Sequence, residues 1–174
     1  IIVTVLAIVT FKYVKDNDID IKEYIEESAN MKGTIGDTLS GDDVKITLTD
    51  ALIYPRIEGE AFTDTPAEGK EYLVFFFNVE NIDDENNFVS IHNFTGYVDD
   101  TLVASKILIN NVDNVQYLSA DLTPGKKTRG YVAYEVDTNW KQFDIHYKEN
   151  SFDYNDSMIF TVVNEENNQN NNNA

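Results

Sequence analysis

Two groups of carboxylates are the residues whose type and spacing could hold a metal ion. Asp83, Asp84 and Glu85 are consecutive, and Asp99 and Asp100 form a second pair. Ca²⁺ binds several oxygen ligands, so clustered acidic side chains at one end of a domain are candidate ligands. Acidic residues are also common in solvated turns, and this alternative explains both groups equally well. We therefore treat these five residues as candidates only and predict no metal or cofactor.

The two histidines, His92 and His146, are the first residues to consider for acid–base catalysis. His146 lies on the polar face of a predicted strand, between Asp144 and Lys148, where a solvated surface residue is expected, and His92 falls in a predicted loop. The sequence has no cysteine, no Gly-x-Ser-x-Gly elbow, no His-Glu-x-x-His motif and no phosphate-binding glycine loop. We assign no catalytic residue and predict that the protein is not an enzyme.

The chain is strongly acidic, with 31 Asp and Glu against 13 Lys and Arg and a formal net charge of −18 at pH 7. This charge repels the phosphates that a nucleic-acid-binding protein must neutralise, so we predict no nucleic-acid partner. It is also what keeps many exported domains soluble. Three basic residues, Lys126, Lys127 and Arg129, follow Pro124 and Gly125 in a predicted turn. We interpret them as charges that protect a strand edge from aggregation.

Alternation of apolar and polar residues predicts a series of β-strands. Val44, Ile46 and Leu48 alternate with polar residues, as in a strand with one buried face. The segment Tyr72 to Asn81 has apolar residues on both faces, which is typical of a strand in the middle of a sheet; Leu73, Phe75, Phe77 and Val79 lie on one face and Tyr72, Val74 and Phe76 on the other. Further alternating segments follow, at residues 118–122, 132–136, 143–147 and 158–162. Turn-forming residues separate the segments, and this spacing predicts an all-β, immunoglobulin-like antiparallel β-sandwich over residues 34–163.

Residues 105–115 are harder to assign. Their sequence is compatible with two structures, a strand followed by a loop or a single helical turn that crosses between the sheets.

The two ends of the chain differ in composition from the middle. Residues 1–11 are apolar except for two threonines. Since a spanning helix needs about 20 apolar residues, we interpret residues 1–15 as a truncated membrane anchor; a cleaved signal peptide and an edge strand are the alternatives. Residues 16–33 predict a partly helical stalk that stops at Gly33. The Asn-rich residues 164–174 predict a disordered tail.

Several segments together resemble a known family. They are Gly36 to Thr38, residues 44–50, residues 69–81, Leu122 to Gly125 leading into residues 130–136, and residues 143–147. They are similar to the small immunoglobulin-like extracytoplasmic domains of unknown function found on envelope proteins of Gram-positive bacteria, which share their shape with a secreted mycobacterial immunoprotective antigen. The resemblance covers about residues 34–163. It implies no established activity and no catalytic set, and since relatives are often lipoproteins, the absence of cysteine leaves the mode of attachment open.

These observations predict a non-enzymatic interaction domain displayed on the outer side of the cell membrane, with an extracellular protein or a cell-wall polymer as its partner. The alternative is a domain that senses a small ligand or Ca²⁺ through its aromatic interior or its acidic loops.

Overall fold

The computed structural model describes residues 31–148, 158–165 and 167. Within them the chain forms fourteen β-strands, one short 3₁₀ helix, Ile91–Asn93, and helical backbone at Glu165 and Asn167. The strands before this helix are β1 (Met31–Gly33), β2 (Thr38–Ser40), β3 (Val44–Tyr54), β4 (Ile57–Glu58), β5 (Thr63–Asp64), β6 (Lys70–Asn81) and β7 (Asn87–Ser90). The strands after it are β8 (Phe94–Val98), β9 (Thr101–Val103), β10 (Ser105–Lys106), β11 (Ser119–Leu122), β12 (Lys127–Asp137), β13 (Gln142–Tyr147) and β14 (Met158–Val163).

Two five-stranded sheets form a sandwich. Sheet A has the order β1-β14-β13-β8-β9, and sheet B has the order β10-β12-β6-β3-β2. The pairs are antiparallel except β1 with β14, which is parallel. Two small two-stranded sheets, β7 with β11 and β4 with β5, complete the described part of the chain. The prediction of an all-β sandwich is therefore confirmed.

The main core lies between the two sheets. Four residues that the alternation pattern places on inward faces, Phe75, Phe77, Val132 and Phe143, are each 0% exposed. The ring centroid of Phe75 lies 5.9 Å from that of Tyr134 and 4.9 Å from that of Phe143. The aromatic side chains thus fill the interior by ring packing, which stabilises a core beyond the area that it buries.

Gly96 in β8 makes room for these rings. A Cβ atom at this position would lie 2.5 Å from the ring of Tyr134 and 2.6 Å from that of Phe143. Any side chain at position 96 would therefore displace the centre of the core.

A second apolar cluster lies on the other side of sheet B, on its outer face. Strands β6 and β12 contribute Tyr72, Val74, Phe76, Tyr131 and Ala133, all of which are buried. The prediction that Tyr72 to Asn81 form a central strand is confirmed, since β6 is the third of the five strands of sheet B. Because both faces of β6 are covered, this region has three layers rather than two.

Two segments provide the third layer, which we call the cover. It consists of the β4–β5 hairpin and the loop of residues 107–116, and it places Ile57, Leu108 and Val112 on the second cluster. The loop contains a tight two-residue turn in which Asp113 and Asn114 have positive φ (50° and 63°) between Val112 and Val115. Asp and Asn tolerate this left-handed conformation better than most residues, so the turn suits its sequence.

Three sequence-based assignments are corrected or refined. Residues Met31–Gly33 belong to strand β1 and pair with β14, so the end of the predicted stalk is wrong and the described fold starts at Met31. Within the predicted disordered tail, the Asn167 side-chain amide donates to the carbonyl oxygens of Thr138 and Trp140 at 2.9 Å, so that position is held against the domain. Residues 105–115 follow the first of the two alternatives, the short strand β10 and then a loop.

Candidate functional site

The two acidic groups lie at opposite ends of the sandwich. Asp83 follows β6 near the start of β12, whereas Asp99 lies beside the end of β12 and the start of β13. An 11-residue strand at about 3.3 Å per residue separates them by roughly 35 Å, so they cannot form one site.

Asp99 and Asp100 form the turn between β8 and β9. Both have positive φ (44° and 65°), as a two-residue hairpin turn requires. The Asp99 carboxylate accepts the backbone N–H of Gln142 at 2.9 Å and that of Lys141 at 3.1 Å. Its oxygens therefore fix the turn before β13.

Asp83, Asp84 and Glu85 lie in the loop between β6 and β7, which is organised by Asn81. The Asn81 side chain is 0% exposed, and its amide donates to the carbonyl oxygens of Glu85 and Leu122, both at 2.8 Å. The Asp83 carboxylate accepts the N–H of Asp84 at 2.6 Å. Within the described residues, no three His, Asp or Glu side chains form a group that could hold a metal ion.

The two histidines lie in different secondary-structure elements. His92 is exposed in the 3₁₀ helix. His146 lies on the outer face of sheet A, as predicted, but it is partly buried because its ring packs on Tyr97, with 4.9 Å between centroids. Burial lowers the pKa of His146, and the charge of Asp144 opposes this shift. The Thr161 hydroxyl in the same depression donates to the Asp144 carboxylate and not to His146.

Lys127 and Arg129 point outward from the first residues of β12, and Lys45 lies beside them on β3. With Thr47, Asn78 and Glu80 these residues line a groove of about 420 Å³, which we call the basic groove. The sequence-based interpretation assigned Lys127 and Arg129 to edge protection. The sequence did not reveal Lys45 as their neighbour, because strand register brings it there.

Three strongly exposed apolar residues lie on the cover. Phe62, Ile107 and Ile109 are 67%, 65% and 75% exposed, and we call them the apolar tip. Leu108 points into the second cluster, so its neighbours Ile107 and Ile109 point away from it. The run Ile107 to Ile109 was the only sequence signal, and it lay in the segment that was hardest to assign.

Asp64 clamps the two parts of the apolar tip together. Its carboxylate, only 9% exposed, accepts the N–H of Ile109 at 3.0 Å, the N–H of Asn110 at 2.9 Å and the side-chain amide of Asn110 at 2.9 Å. The same amide donates to the carbonyl oxygen of Phe62 at 3.0 Å. A side chain at Gly59 would collide with Asn110. These contacts place Phe62 beside the loop that carries Ile107 and Ile109.

A comparison with protein families identifies the domain. The family described as a domain of unknown function, DUF4352, matches residues 33–169. The chain belongs to the DUF4352 family. This confirms the resemblance to extracytoplasmic domains of unknown function, and the DUF4352 match begins at Gly33, the last residue of β1.

Solved structures share the fold of this DUF4352 domain. The ycdA protein of Bacillus subtilis, a putative lipoprotein, has a TM-score of 0.60 at 15% identity over 78% of this chain, which spans only 41% of ycdA. The yjhA protein of B. subtilis has a TM-score of 0.58 at 18% identity, with 75% of this chain and 98% of yjhA covered. The secreted protein MPT63 of Mycobacterium tuberculosis has a TM-score of 0.51 at 12% identity, with 78% of this chain and 98% of MPT63 covered.

At these identities the structural likeness establishes the fold of the DUF4352 domain and not its activity. No curated protein matches the chain at a significant level. In the part of the chain that the structure describes, no helix is long and apolar enough to cross a membrane, and residues 1–15 lie outside that part.

Proposed function

We propose that this DUF4352 domain is a non-enzymatic interaction domain on the outer side of the cell membrane, which binds an extracellular protein through the apolar tip. The observation that carries the proposal is the high exposure of Phe62, Ile107 and Ile109 on backbone that Asp64 holds in place. Residues 1–15 are proposed to anchor the chain. The secreted and lipoprotein-like structural relatives support a location outside the cytoplasm.

Exposed apolar side chains next to one another are typical of binding surfaces, whereas scattered ones need no explanation. Burying one such side chain contributes about 1.5–3 kcal/mol, so three together can supply much of the free energy of a moderate interface. The Asp64 clamp matters because a surface that is already ordered loses less conformational entropy on binding. The apolar tip thus combines exposure with preorganisation.

A non-enzymatic role is supported by the arrangement of the reactive groups. The Thr161 hydroxyl donates to Asp144, and the ring of His146 packs against Tyr97. General base catalysis by a histidine requires a ring nitrogen within hydrogen-bond reach of the proton that it removes, and the Thr161 hydroxyl makes its hydrogen bond to Asp144 rather than to His146.

Photo-cross-linking in cells that express the full chain tests the proposal. A photoreactive phenylalanine analogue at position 62 should cross-link one extracellular protein, while the same analogue at position 88, where Phe88 is 58% exposed, should not. With that protein purified, the variant F62S/I107T/I109S should bind at least about tenfold more weakly than the control F88S/L102S. Equal binding by the two variants would refute the role of the apolar tip.

Protease treatment of intact cells tests the location. The domain should be cleaved by added protease without lysis, and protection until lysis would contradict display outside the membrane.

A further inference from the structure

The basic groove concentrates positive charge on an otherwise acidic protein. Strand register places Lys45, Glu80 and Lys127 side by side across β3, β6 and β12. The next outward-facing row contains Thr47, Asn78 and Arg129. Neighbouring strands are about 4.8 Å apart and alternate residues about 7 Å apart, so the three cations form a triangle with sides of roughly 7–12 Å.

Two cations of the basic groove lack the ion pairs that several basic residues elsewhere in the domain form. Arg56, Lys70 and Lys106 each pair with a carboxylate, at 2.7, 3.3 and 3.5 Å. In the described part of the chain, Lys45 and Arg129 have no carboxylate within ion-pair distance. Lys127 pairs with Glu80 at 3.1 Å, so the groove holds three cations against one carboxylate. In a chain of net charge −18, this leaves two cations without a local counter-charge.

The basic groove also contains a polar amide, and one of its charged side chains is held in position by a neighbouring ring. The Arg129 guanidinium lies over the Phe76 ring, 5.7 Å from its centroid, which restrains it beside the groove. The exposed Asn78 amide has no hydrogen-bond partner among the described residues, so its N–H groups are available to an acceptor. An arginine fork, two ammonium groups and an amide are the donors that phosphate oxygens accept from.

We propose that the basic groove binds a soluble, chain-like anion that carries successive phosphate groups. A narrow chain can contact the groove alone, whereas a flat anionic membrane would also meet the acidic surface around it. Screening favours the narrow ligand, because at physiological ionic strength a charge is felt over only about 8 Å. The groove and the apolar tip are different surfaces, so this inference goes beyond the proposed function and does not depend on it.

Calorimetric titration of the full chain with sodium tripolyphosphate tests the proposal. The variant K127Q/R129Q should bind at least about tenfold more weakly than the wild type. The control K70Q/K106Q changes the net charge by the same amount on ion-paired lysines outside the groove, and it should change affinity by less than about twofold. Variant E80Q removes the carboxylate inside the groove and should bind more tightly, a result that loss of folding cannot produce.

Three results would overturn the proposal: no binding of tripolyphosphate by the wild type, equal weakening in K127Q/R129Q and K70Q/K106Q, or affinity for tripolyphosphate no higher than for inorganic phosphate. Vesicles of 30% phosphatidylglycerol in phosphatidylcholine distinguish a lipid headgroup from a soluble anion. Retention on these vesicles should be the same for the wild type and K127Q/R129Q. Retention that falls in this variant, without tripolyphosphate binding, would assign the groove to the membrane surface and overturn the proposal.

Discussion

The outer faces of the two sheets differ in what lies on them. Sheet B carries a buried apolar cluster under the cover, whereas the outer face of sheet A presents polar and partly exposed side chains such as Asp144, His146 and Thr161. In the described part of the chain, a third layer therefore covers sheet B, whereas sheet A is the outermost layer on its side. The third layer brings long-range contacts that hold the apolar tip, and no such layer covers sheet A among residues 31–148 and 158–165.

Sheet B also changes along its own length. Next to β10 its outer face is apolar and covered, and toward Lys127 it becomes polar and open, with Phe76 and Arg129 in contact at the border. The cover thus packs where the outer face of β6 is apolar. It ends where the outward-facing residues of β6 become polar, at Asn78 and Glu80.

The largest expected effect comes from removing a side chain under the cover. Phe76 is 2% exposed, and F76A should lower the free energy of unfolding by about 3–5 kcal/mol, since it leaves a cavity in the second cluster. The control F88A removes a phenyl ring that is 58% exposed and should cost less than about 1 kcal/mol. Urea unfolding of both variants measures the difference. Equal costs would mean that the outer face of sheet B is not a true core.

The next effect separates a buried carboxylate in the cover from an accessible one on sheet A. In D64N an amide N–H₂ replaces one acceptor oxygen opposite the N–H groups of Ile109 and Asn110, so we expect a loss of about 2–3 kcal/mol. In D144N the partners are the side chains of Gln142 and Thr161, which can turn to water, so the loss should stay below about 1 kcal/mol. Urea unfolding midpoints and slopes provide the comparison. A loss in D144N as large as that in D64N would contradict the clamp.

Two tyrosines compare the main core with the second cluster. The Tyr134 hydroxyl is buried and has no hydrogen-bond partner among the described residues, and burial raises its pKa well above the ordinary range. The Tyr131 hydroxyl donates to the carbonyl oxygen of Asn110 at 3.2 Å, and burial raises its pKa to about 12. Y134F should therefore be neutral or stabilising by up to about 1 kcal/mol, whereas Y131F should be destabilising by about 1 kcal/mol.

Thermal unfolding of the two phenylalanine variants checks this ordering. Destabilisation by Y134F would show that its hydroxyl has a partner in solution, such as a bound water.

The smallest effect is a pH dependence on the open face of sheet A. Burial lowers the pKa of His146 in the folded state below its unfolded value of about 6.5. Between the two pKa values the unfolded chain binds more protons, so this contribution to stability is complete above about pH 6.5 and is lost as the pH falls toward the folded pKa. H146Q should reduce the decrease in stability below pH 6.5 relative to the wild type, by less than about 1 kcal/mol. An unchanged pH profile would show that the burial of His146 is not coupled to folding.

The sandwich could be predicted from the sequence because its signal is local. The buried side chains can be read from the residue pattern of each strand. This holds for the alternation at Val44, Ile46 and Leu48 and for the apolar positions on both faces of β6. A turn at Asp99 and Asp100 could likewise be predicted from the sequence, since aspartate tolerates positive φ.

The cover and the basic groove could not be predicted, because they depend on contacts between distant segments. Asp64 and Ile109 are 45 positions apart, and neither the β4–β5 hairpin nor the loop has a clear periodicity. Lys45 reaches Lys127 only through the register of three strands. The start of β1 was missed for a similar reason, since its pairing with β14 lies far along the chain from Met31.

Hydrogen exchange at the amides of Ile109 and Asn110 tests most directly whether the cover is held on sheet B. Both N–H groups donate to the Asp64 carboxylate, so they should exchange much more slowly than unstructured amides in the wild type, and they should lose this protection in D64N but keep it in D144N. Exchange of both amides at the unprotected rate in the wild type would contradict a rigid cover, and with it the preorganised apolar tip.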